Sequence, residues 1–523
     1  MNILLAEPLT APGLRLLNSQ PGWNVIVSNP REFLQHLPEA DALIISNAVR
    51  VTPAILSQAP RLRVIGRAGV GVENVDIPAA TAAGVLVMNT PGGNSVSVAE
   101  HTLALMLSLA RSIPEANYST RSGKWEKRKF LGTELREKTL GVIGLGSIGR
   151  EVVKRAKAFE MKTIATDPYV SSKTAADVGV ELVELHALYA QADYISLHTA
   201  LTPESHRMLA ASAFAQMKDG VRIINCARGE LIDQDALRNS MLSGKVAGAA
   251  LDVFEKEPLP ADDPLLQLAN LIATPHIGGA TEEAQEILGV RIAEQIVEYL
   301  QNDITLNAVN MPALTREQFR TLGPFVVLAE RLGSFASHVA QGNPRAVRIF
   351  YYGRIAEYNT QLLRNAAVAG VAGRSMAQRA NAVNAMQIAA DRGFAVAEQH
   401  ERRAAHTDSI RLELETDDGL TIVEGGLVLD KPRLLHVDSI QCEAPLEGHL
   451  TFLKNADIPG VIGFVGALLG RSGVNIASFS LGRLASGGEA VSVIATDQPV
   501  PPSVLEELLR NPAVRAARAV RFH

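Results

Sequence analysis

The chain has 523 residues, 47% of them hydrophobic, a formal net charge of -5 and two cysteines, Cys226 and Cys442. That length suggests about three or four domains at roughly 150 residues each, and the charge, spread without long like-charge blocks, argues against a nucleic-acid surface. Two cysteines are too few for a disulfide framework or a structural zinc site, so both are expected as reduced thiols and no metal is expected. No uncharged apolar run reaches membrane-spanning length, and the strand-like Asn2-Ile3-Leu4-Leu5-Ala6 follows the first residue without a basic segment or signal core. The expected location is the cytoplasm.

Residues 1 to about 98 alternate short apolar runs (3–6, 25–27, 42–45, 63–65 and 85–88) with helical stretches, the pattern of an open parallel sheet. Residues 95–111 predict a long amphipathic helix bridging to a second series of strands at 140–143, 161–166, 194–197, 222–225, 247–251 and 271–273. A helix from 281 to about 300 then returns the chain to the first unit. The expectation is an α/β protein with two doubly wound parallel sheets. A Rossmann-like nucleotide domain (99–284) is inserted in a flavodoxin-like substrate domain (1–98 and 285–310).

The second series opens with Gly144-Leu145-Gly146-Ser147-Ile148-Gly149, placed between the apolar run 139–143 and the helical pattern 148–159. Strand, tight turn and helix are the context a dinucleotide fingerprint requires. Gly144 permits the bend, Gly146 lets backbone N–H groups approach a pyrophosphate, and Gly149 lets the helix pack on its strand. The helix N-terminus favours the phosphates. Asp167 ends the next strand, where a carboxylate accepts from adenosine ribose hydroxyls. It would repel a 2′-phosphate, so the cofactor expected is NAD.

Arg228, Glu257 and His276 follow in order. Arg228 comes just after the run ending at Asn225, and His276 just after the run ending near Ala273, at the carboxyl edge where open α/β sheets bind ligands. Glu257 lies in a loop after a further strand. Oxidising a secondary alcohol needs a base near neutrality for the hydroxyl proton while hydride leaves the same carbon. His276 suits that task, a neighbouring Glu257 would raise its pKa and hold its tautomer, and Arg228 can grip a carboxylate through two parallel hydrogen bonds. Cys226 reads as a small strand-end residue, His198 as packed or cofactor-proximal, and His101 as structural.

Several segments resemble the D-2-hydroxyacid dehydrogenases, and within them the long-form phosphoglycerate dehydrogenases: Asn225-Cys226-Ala227-Arg228-Gly229, Leu251-Asp252-Val253-Phe254 with Glu257-Pro258, and Thr274-Pro275-His276-Ile277-Gly278-Gly279. Arg67-Ala68-Gly69-Val70-Gly71-Val72, Asn89-Thr90-Pro91-Gly92-Gly93-Asn94-Ser95, Gly123-Lys124-Trp125 and Gly132-Thr133-Glu134-Leu135 agree with them. The resemblance implies cofactor contacts at Val70, Ser147, Ile148, Thr199, Cys226, Asp252, Gly278 and Gly279, with Asp252 orienting the carboxamide. It implies Arg50, Arg67 and Asn94 beside Arg228 and His276 at the substrate. It also implies a homo-oligomer, a tetramer being favoured. One departure concerns the substrate phosphate: Ser46 stands where many members have an arginine. Lys124, Lys127, Arg128 and Lys129 form a basic cluster that reads equally as a solvated loop or as charge lent to a neighbouring subunit.

Beyond Asn310-Met311-Pro312 the pattern changes. Residues 311–445 predict a helix from 316, a strand at 347–352 and a helical stretch 378–392, resembling the intervening domain of the long-form enzymes. Residues 446–523 read as βαββαβ: strands at 449–454, 476–481, 490–495 and 514–520, with helices at 460–471 and 503–510. They resemble an amino-acid-sensing ACT domain, whose ligand loops would here carry Asn455, Asp457 and Asn475 as candidate L-serine contacts. The expected function is NAD-dependent oxidation of a small phosphorylated 2-hydroxy acid at the start of serine synthesis. Reduction of another 2-oxo acid such as hydroxypyruvate or glyoxylate, and an NAD-sensing corepressor-like role, stand as alternatives.

Overall fold

The computed structural model describes residues 1–312, 314–373, 380–401 and 408–522. Five parallel strands form the first sheet: β1 (Asn2–Leu5), β2 (Asn24–Val27), β3 (Ala42–Ile45), β4 (Val64–Arg67) and β5 (Leu86–Met88), in the order β2-β1-β3-β4-β5. Every residue of β3 is buried, because helices cover both faces. Two-sided burial is why such strands read as continuous apolar runs rather than alternating ones.

The second sheet holds seven parallel strands: β6 (Thr139–Ile143), β7 (Lys162–Thr166), β8 (Glu181–Leu182), β9 (Tyr194–Leu197), β10 (Val221–Asn225), β11 (Val246–Leu251) and β12 (Leu271–Ala273). Their order, β12-β11-β10-β9-β6-β7-β8, reverses between β6 and β9. A crevice opens there beyond the strand ends. β8 was not anticipated, since two residues carry no periodic signal.

The insertion of the second unit into the first is visible in three contacts. The helix Ser95–Arg111 leaves the first sheet and packs against the helix Ser147–Ala158 of the second. The helix Glu282–Asn302 comes back onto Ala11–Asn18, so closely that a Cβ on Gly13 would lie 2.6 Å from the Gly289 carbonyl oxygen. Asn310 then accepts from the Val87 N–H at 2.9 Å, joining the chain to β5.

The third sheet is mixed, with β13 (Pro344–Tyr352), β14 (Ala395–Glu401), β15 (Ser409–Thr416), β16 (Gly419–Val428), β17 (Lys431–Val437) and β18 (Ile440–Pro445) in the order β14-β13-β15-β16-β17-β18. The helices Arg316–Val339 and Gln361–Gly373 cover one face. The expected helix over 378–392 is corrected: it runs Ala385–Arg392, and residues 378 and 379 lie outside the described residues. Asparagines make the difference. Asn381 accepts from the Val383 N–H at 2.9 Å and Asn384 accepts from the Asn381 N–H at 2.9 Å, a local side-chain turn that competes with helix. The same turn docks on the first unit, where Asn381 Nδ2 donates to the Gly84 carbonyl at 2.8 Å.

The last sheet is antiparallel, with β19 (His449–Ala456), β20 (Ile476–Arg483), β21 (Glu489–Thr496) and β22 (Val514–Arg521) in the order β20-β21-β19-β22. The helices Val461–Arg471 and Pro502–Leu509 cover one face. The other face joins the core of the third sheet: Phe452 on β19 meets Phe335 edge-on, ring centres 5.9 Å apart. Among the described residues, no helix is long and apolar enough to cross a membrane.

Candidate active site

At the end of β6 the chain turns through Gly144, whose φ of +94° suits glycine. A Cβ on Gly144 would stand 2.5 Å from the His198 carbonyl oxygen and 2.8 Å from the Thr199 nitrogen; on Gly149 it would stand 2.1 Å from the Gly144 oxygen. Around Gly146, by contrast, nothing lies within 4 Å of that position. Gly146 begins the helix Ser147–Ala158 with no side chain capping it. Its first-turn N–H groups, including those of Ser147 and Ile148, are thus free for an anion. Asp167, at the end of β7, accepts from Leu145 N–H and Tyr169 N–H, each at 2.8 Å, which fixes its carboxylate over the turn. The residues present fit a dinucleotide with a free ribose 2′-hydroxyl.

His276 follows β12 with a φ of +55°, the left-handed region that a side chain seldom adopts. Asp252, buried at the end of β11, holds it there. The His276 N–H donates to the Asp252 carbonyl at 2.9 Å, and the Asp252 carboxylate accepts from the Ile277 and Gly278 N–H groups at 2.9 and 2.8 Å and from the Thr274 hydroxyl at 2.5 Å. A carboxylate expected to orient a carboxamide is therefore already engaged in shaping the His276 loop. His101 joins the network, its Nε2 3.2 Å from the Thr274 hydroxyl and 3.3 Å from Asp252. Its structural reading acquires a location, beneath the candidate base.

The His276 ring lies 2.7 Å, through Nδ1, from Glu257 Oε2, while Glu257 Oε1 accepts from the Phe254 N–H at 3.0 Å. Because an ionised carboxylate only accepts, Nδ1 carries the proton and Nε2 is left as the basic nitrogen. The Glu257 hydrogen bond raises the His276 pKa above its ordinary value, burial opposing it. Burial works to raise the Glu257 carboxyl, but the bond to His276, the Phe254 N–H and the imidazole's charge together outweigh it, leaving that pKa lowered.

Arg228 is carried on a loop that Asn225 folds, donating from Nδ2 to the Arg228 carbonyl at 2.8 Å and accepting from the Ala227 N–H at 3.0 Å. Gly229 lets that loop touch the next one, since a Cβ there would fall 1.9 Å from the Phe254 carbonyl carbon. This contact is what brings Arg228 toward Glu257 and His276. Across the crevice, Glu73 on the loop after β4 pairs with Arg228 at 2.5 Å. Glu73 was missed from the sequence, although an acid in a glycine-containing loop at the carboxyl end of a parallel strand was a usable signal.

The remaining expected residues scatter more widely. Arg67 ends β4 and donates to the Asn47 side chain; burial pulls its pKa down against the opposing pull of Glu73. Arg50 is exposed. Asn94 abuts the Gly278-Gly279 segment, its Nδ2 2.7 Å from where a Gly279 Cβ would be. The Val70 carbonyl accepts from Asn89 Nδ2 at 2.5 Å. Burial pushes the Cys226 thiol up to about 12, so it is no nucleophile, and pushes His198 down to about 4, so that ring is neutral. Lys124 and Lys129 line a cavity of about 650 Å³ with Arg222, Ala247 and Asn270, at the amino ends of β10–β12. That is the opposite edge of the sheet from Arg228 and His276 of the same chain.

The three candidate effector residues are not gathered either. Asp457 lies beyond the carboxyl end of β19 and accepts from Arg483 at 2.7 Å and from the Gly487 N–H at 3.1 Å. Asn475 precedes β20 and donates to Asp497 at 2.7 Å. Since β21 runs antiparallel to both β19 and β20, these two positions fall at opposite ends of one sheet. Asn455 is buried within β19.

Three family models match the chain: the D-isomer specific 2-hydroxyacid dehydrogenase NAD binding domain over residues 103–278, the D-3-phosphoglycerate dehydrogenase intervening domain over 321–438 and the ACT domain over 449–513. D-3-phosphoglycerate dehydrogenase of Methanocaldococcus jannaschii is 41% identical over 100% of both chains. The chain belongs to the D-3-phosphoglycerate dehydrogenase family. The phosphoglycerate dehydrogenase of Bacillus subtilis is 35% identical over 99% of each chain. Among solved structures, the TT0316 protein of Thermus thermophilus is 35% identical with a TM-score of 0.54, covering 59% of this chain and 100% of its own. An NAD-dependent formate dehydrogenase of Staphylococcus aureus, solved with NAD, is 28% identical with a TM-score of 0.53, over 59% of this chain and 99% of its own. Membership of this family makes the chain an NAD-dependent oxidoreductase and fits the glycine turn and Asp167.

Proposed function

We propose that the chain oxidises D-3-phosphoglycerate to 3-phosphohydroxypyruvate, the first step of L-serine synthesis, with His276 as acid and base. The observation that carries this reading is the His276–Glu257 pair at 2.7 Å, set beside Arg228 at the mouth of a nucleotide crevice. Arg228 holds the substrate carboxylate and polarises the neighbouring carbon–oxygen bond, fixing the carbon for transfer. His276 Nε2 takes the hydroxyl proton as the C–H electron pair departs as hydride and the carbonyl forms. Glu257 stabilises the imidazolium. Bound NAD supplies the hydride acceptor. Gly146, Ser147 and Ile148 would hold its pyrophosphate on the turn that Gly144 and Gly149 make possible, Asp167 would hold its ribose, and Val70, Thr199, Cys226, Asp252, Gly278 and Gly279 would border it. Arg67 and Arg50 take the phosphate end of the substrate in place of the arginine replaced by Ser46, with Asn94 beside them.

In this reading residues 1–98 and 285–310 bind substrate, 99–284 bind NAD, 311–445 form the intervening domain and 446–523 the ACT domain, in a cytoplasmic homo-oligomer. Support for a second copy comes from the apolar face around the basic arm, where Trp125 is 87% and Leu131 93% exposed. An L-serine site using both Asp457 and Asn475 needs two ACT domains side by side, and the serine ammonium would have to compete with Arg483 for Asp457.

The test is an NADH-coupled assay on 3-phosphoglycerate, D-glycerate and D-lactate, with and without L-serine. Turnover greatest on 3-phosphoglycerate supports the reading. Preference for an unphosphorylated acid assigns a different 2-oxo acid substrate. No turnover of any acid, with a transcription factor recovered on the chain, assigns the corepressor role.

A further inference from the structure

The guanidinium of Arg228 is already occupied from within the chain. Nη1 donates to the Ala227 carbonyl at 2.7 Å, while Nε and Nη2 each meet Glu73 Oε1 at 2.5 Å. The Nε–Nη2 side is one of the two edges of a guanidinium that can grip a carboxylate through parallel hydrogen bonds, and Nη1 belongs to the other. Both edges are therefore engaged before any ligand arrives. Gly71 makes the pairing possible, because a Cβ there would lie 2.1 Å from Glu73 Oε2 and 2.5 Å from Arg228 Nη2.

Glu73 sits on the first unit and Arg228 on the second, so their pair spans the crevice that a substrate enters. The Glu73 side chain is 60% exposed and therefore has solvent to move into. A second carboxylate brought to the same edge would face Glu73 at contact distance, where two like charges cannot both stay. Binding is then an exchange of one charge-assisted pair for another. Only the difference between the two pairs reaches the measured affinity.

We propose that Glu73 is an internal competitor for Arg228, which the substrate carboxylate displaces on binding, so that Glu73 sets the KM for 2-hydroxy and 2-oxo acids. This rests on the reading of Arg228 as the carboxylate holder. A solvent-exposed pair is a weak one, which keeps the effect within about five-fold.

The test compares wild type, Glu73→Gln and Glu73→Asp as full-length NADH complexes, titrated with oxamate, an unreactive 2-oxo acid analogue, and assayed for KM. In Glu73→Gln the oxamate Kd and the KM should fall together by about two- to five-fold, with Glu73→Asp in between, because its shorter side chain reaches Arg228 less well. Equal or weaker oxamate binding in Glu73→Gln overturns the inference and makes Glu73 an orienting partner instead. If wild type neither binds oxamate nor turns over any hydroxy acid, it is the functional reading that fails.

Discussion

Asp252 grips the backbone on both sides of the His276 side chain, its carbonyl taking the His276 N–H at 2.9 Å and its carboxylate the next two N–H groups at 2.9 and 2.8 Å. A residue at the end of one strand thus dictates the left-handed conformation that aims an imidazole after another. Asp252→Asn puts an amide NH2 against one of those N–H donors. It should destabilise the fold by about 1–3 kcal/mol and lower kcat by roughly ten-fold. Denaturant titration and turnover, measured on the same preparation, check both.

Glu257 raises the His276 pKa chiefly through their hydrogen bond. Oxidation needs the neutral ring, so kcat/KM for oxidation should climb as pH rises through the folded His276 pKa, and kcat/KM for reduction should decline through it. In Glu257→Gln the imidazolium loses its anionic partner. The rising limb should move to lower pH, with kcat reduced by about ten-fold or more. Paired pH profiles in both directions check the sign, and a limb displaced upward contradicts it.

Asp167→Ala should raise the NAD Kd by roughly ten-fold while kcat at saturating cofactor changes little, because the lost contact is made equally before and during hydride transfer. Removing the negative charge should also narrow the preference for NAD over NADP. Cofactor titrations by NADH fluorescence measure both effects.

Gly149→Ala forces a methyl to within 2.1 Å of the Gly144 carbonyl oxygen, with the Val142 side chain 3.4 Å away. The helix Ser147–Ala158 must then shift off β6, at about 1–3 kcal/mol. Gly146→Ala meets open space and should leave thermal stability intact while weakening NAD binding. The contrast between the two melting temperatures is the check.

Much of this was legible in the chain itself. Strands buried on both faces announce themselves as apolar runs, and Arg228 follows one of them directly; His276 follows β12, a part-exposed edge strand that is still an apolar run, so the shared edge was readable. The third unit was less so, because its strands have one part-buried face and give no continuous apolar run, and the turn before the helix Ala385–Arg392 is made by side-chain bonds of Asn381 that nothing in the periodicity reveals. Glu73 eluded the reading for a related reason. Its partner lies 155 residues away, and only the closure of one sheet against the other brings them together. The candidate effector residues illustrate the converse: the loops at 455–460 and 473–475 lie close in sequence, yet antiparallel pairing through β21 sends Asp457 and Asn475 to opposite ends of the sheet.

The most direct test of the central claim is the turnover of 3-phosphoglycerate by His276→Ala, with NADH affinity read in parallel by fluorescence. Proton transfer through His276 predicts a kcat lower by about two orders of magnitude or more, with cofactor affinity nearly kept. A variant that binds NADH normally and turns over within a few-fold of wild type would contradict it.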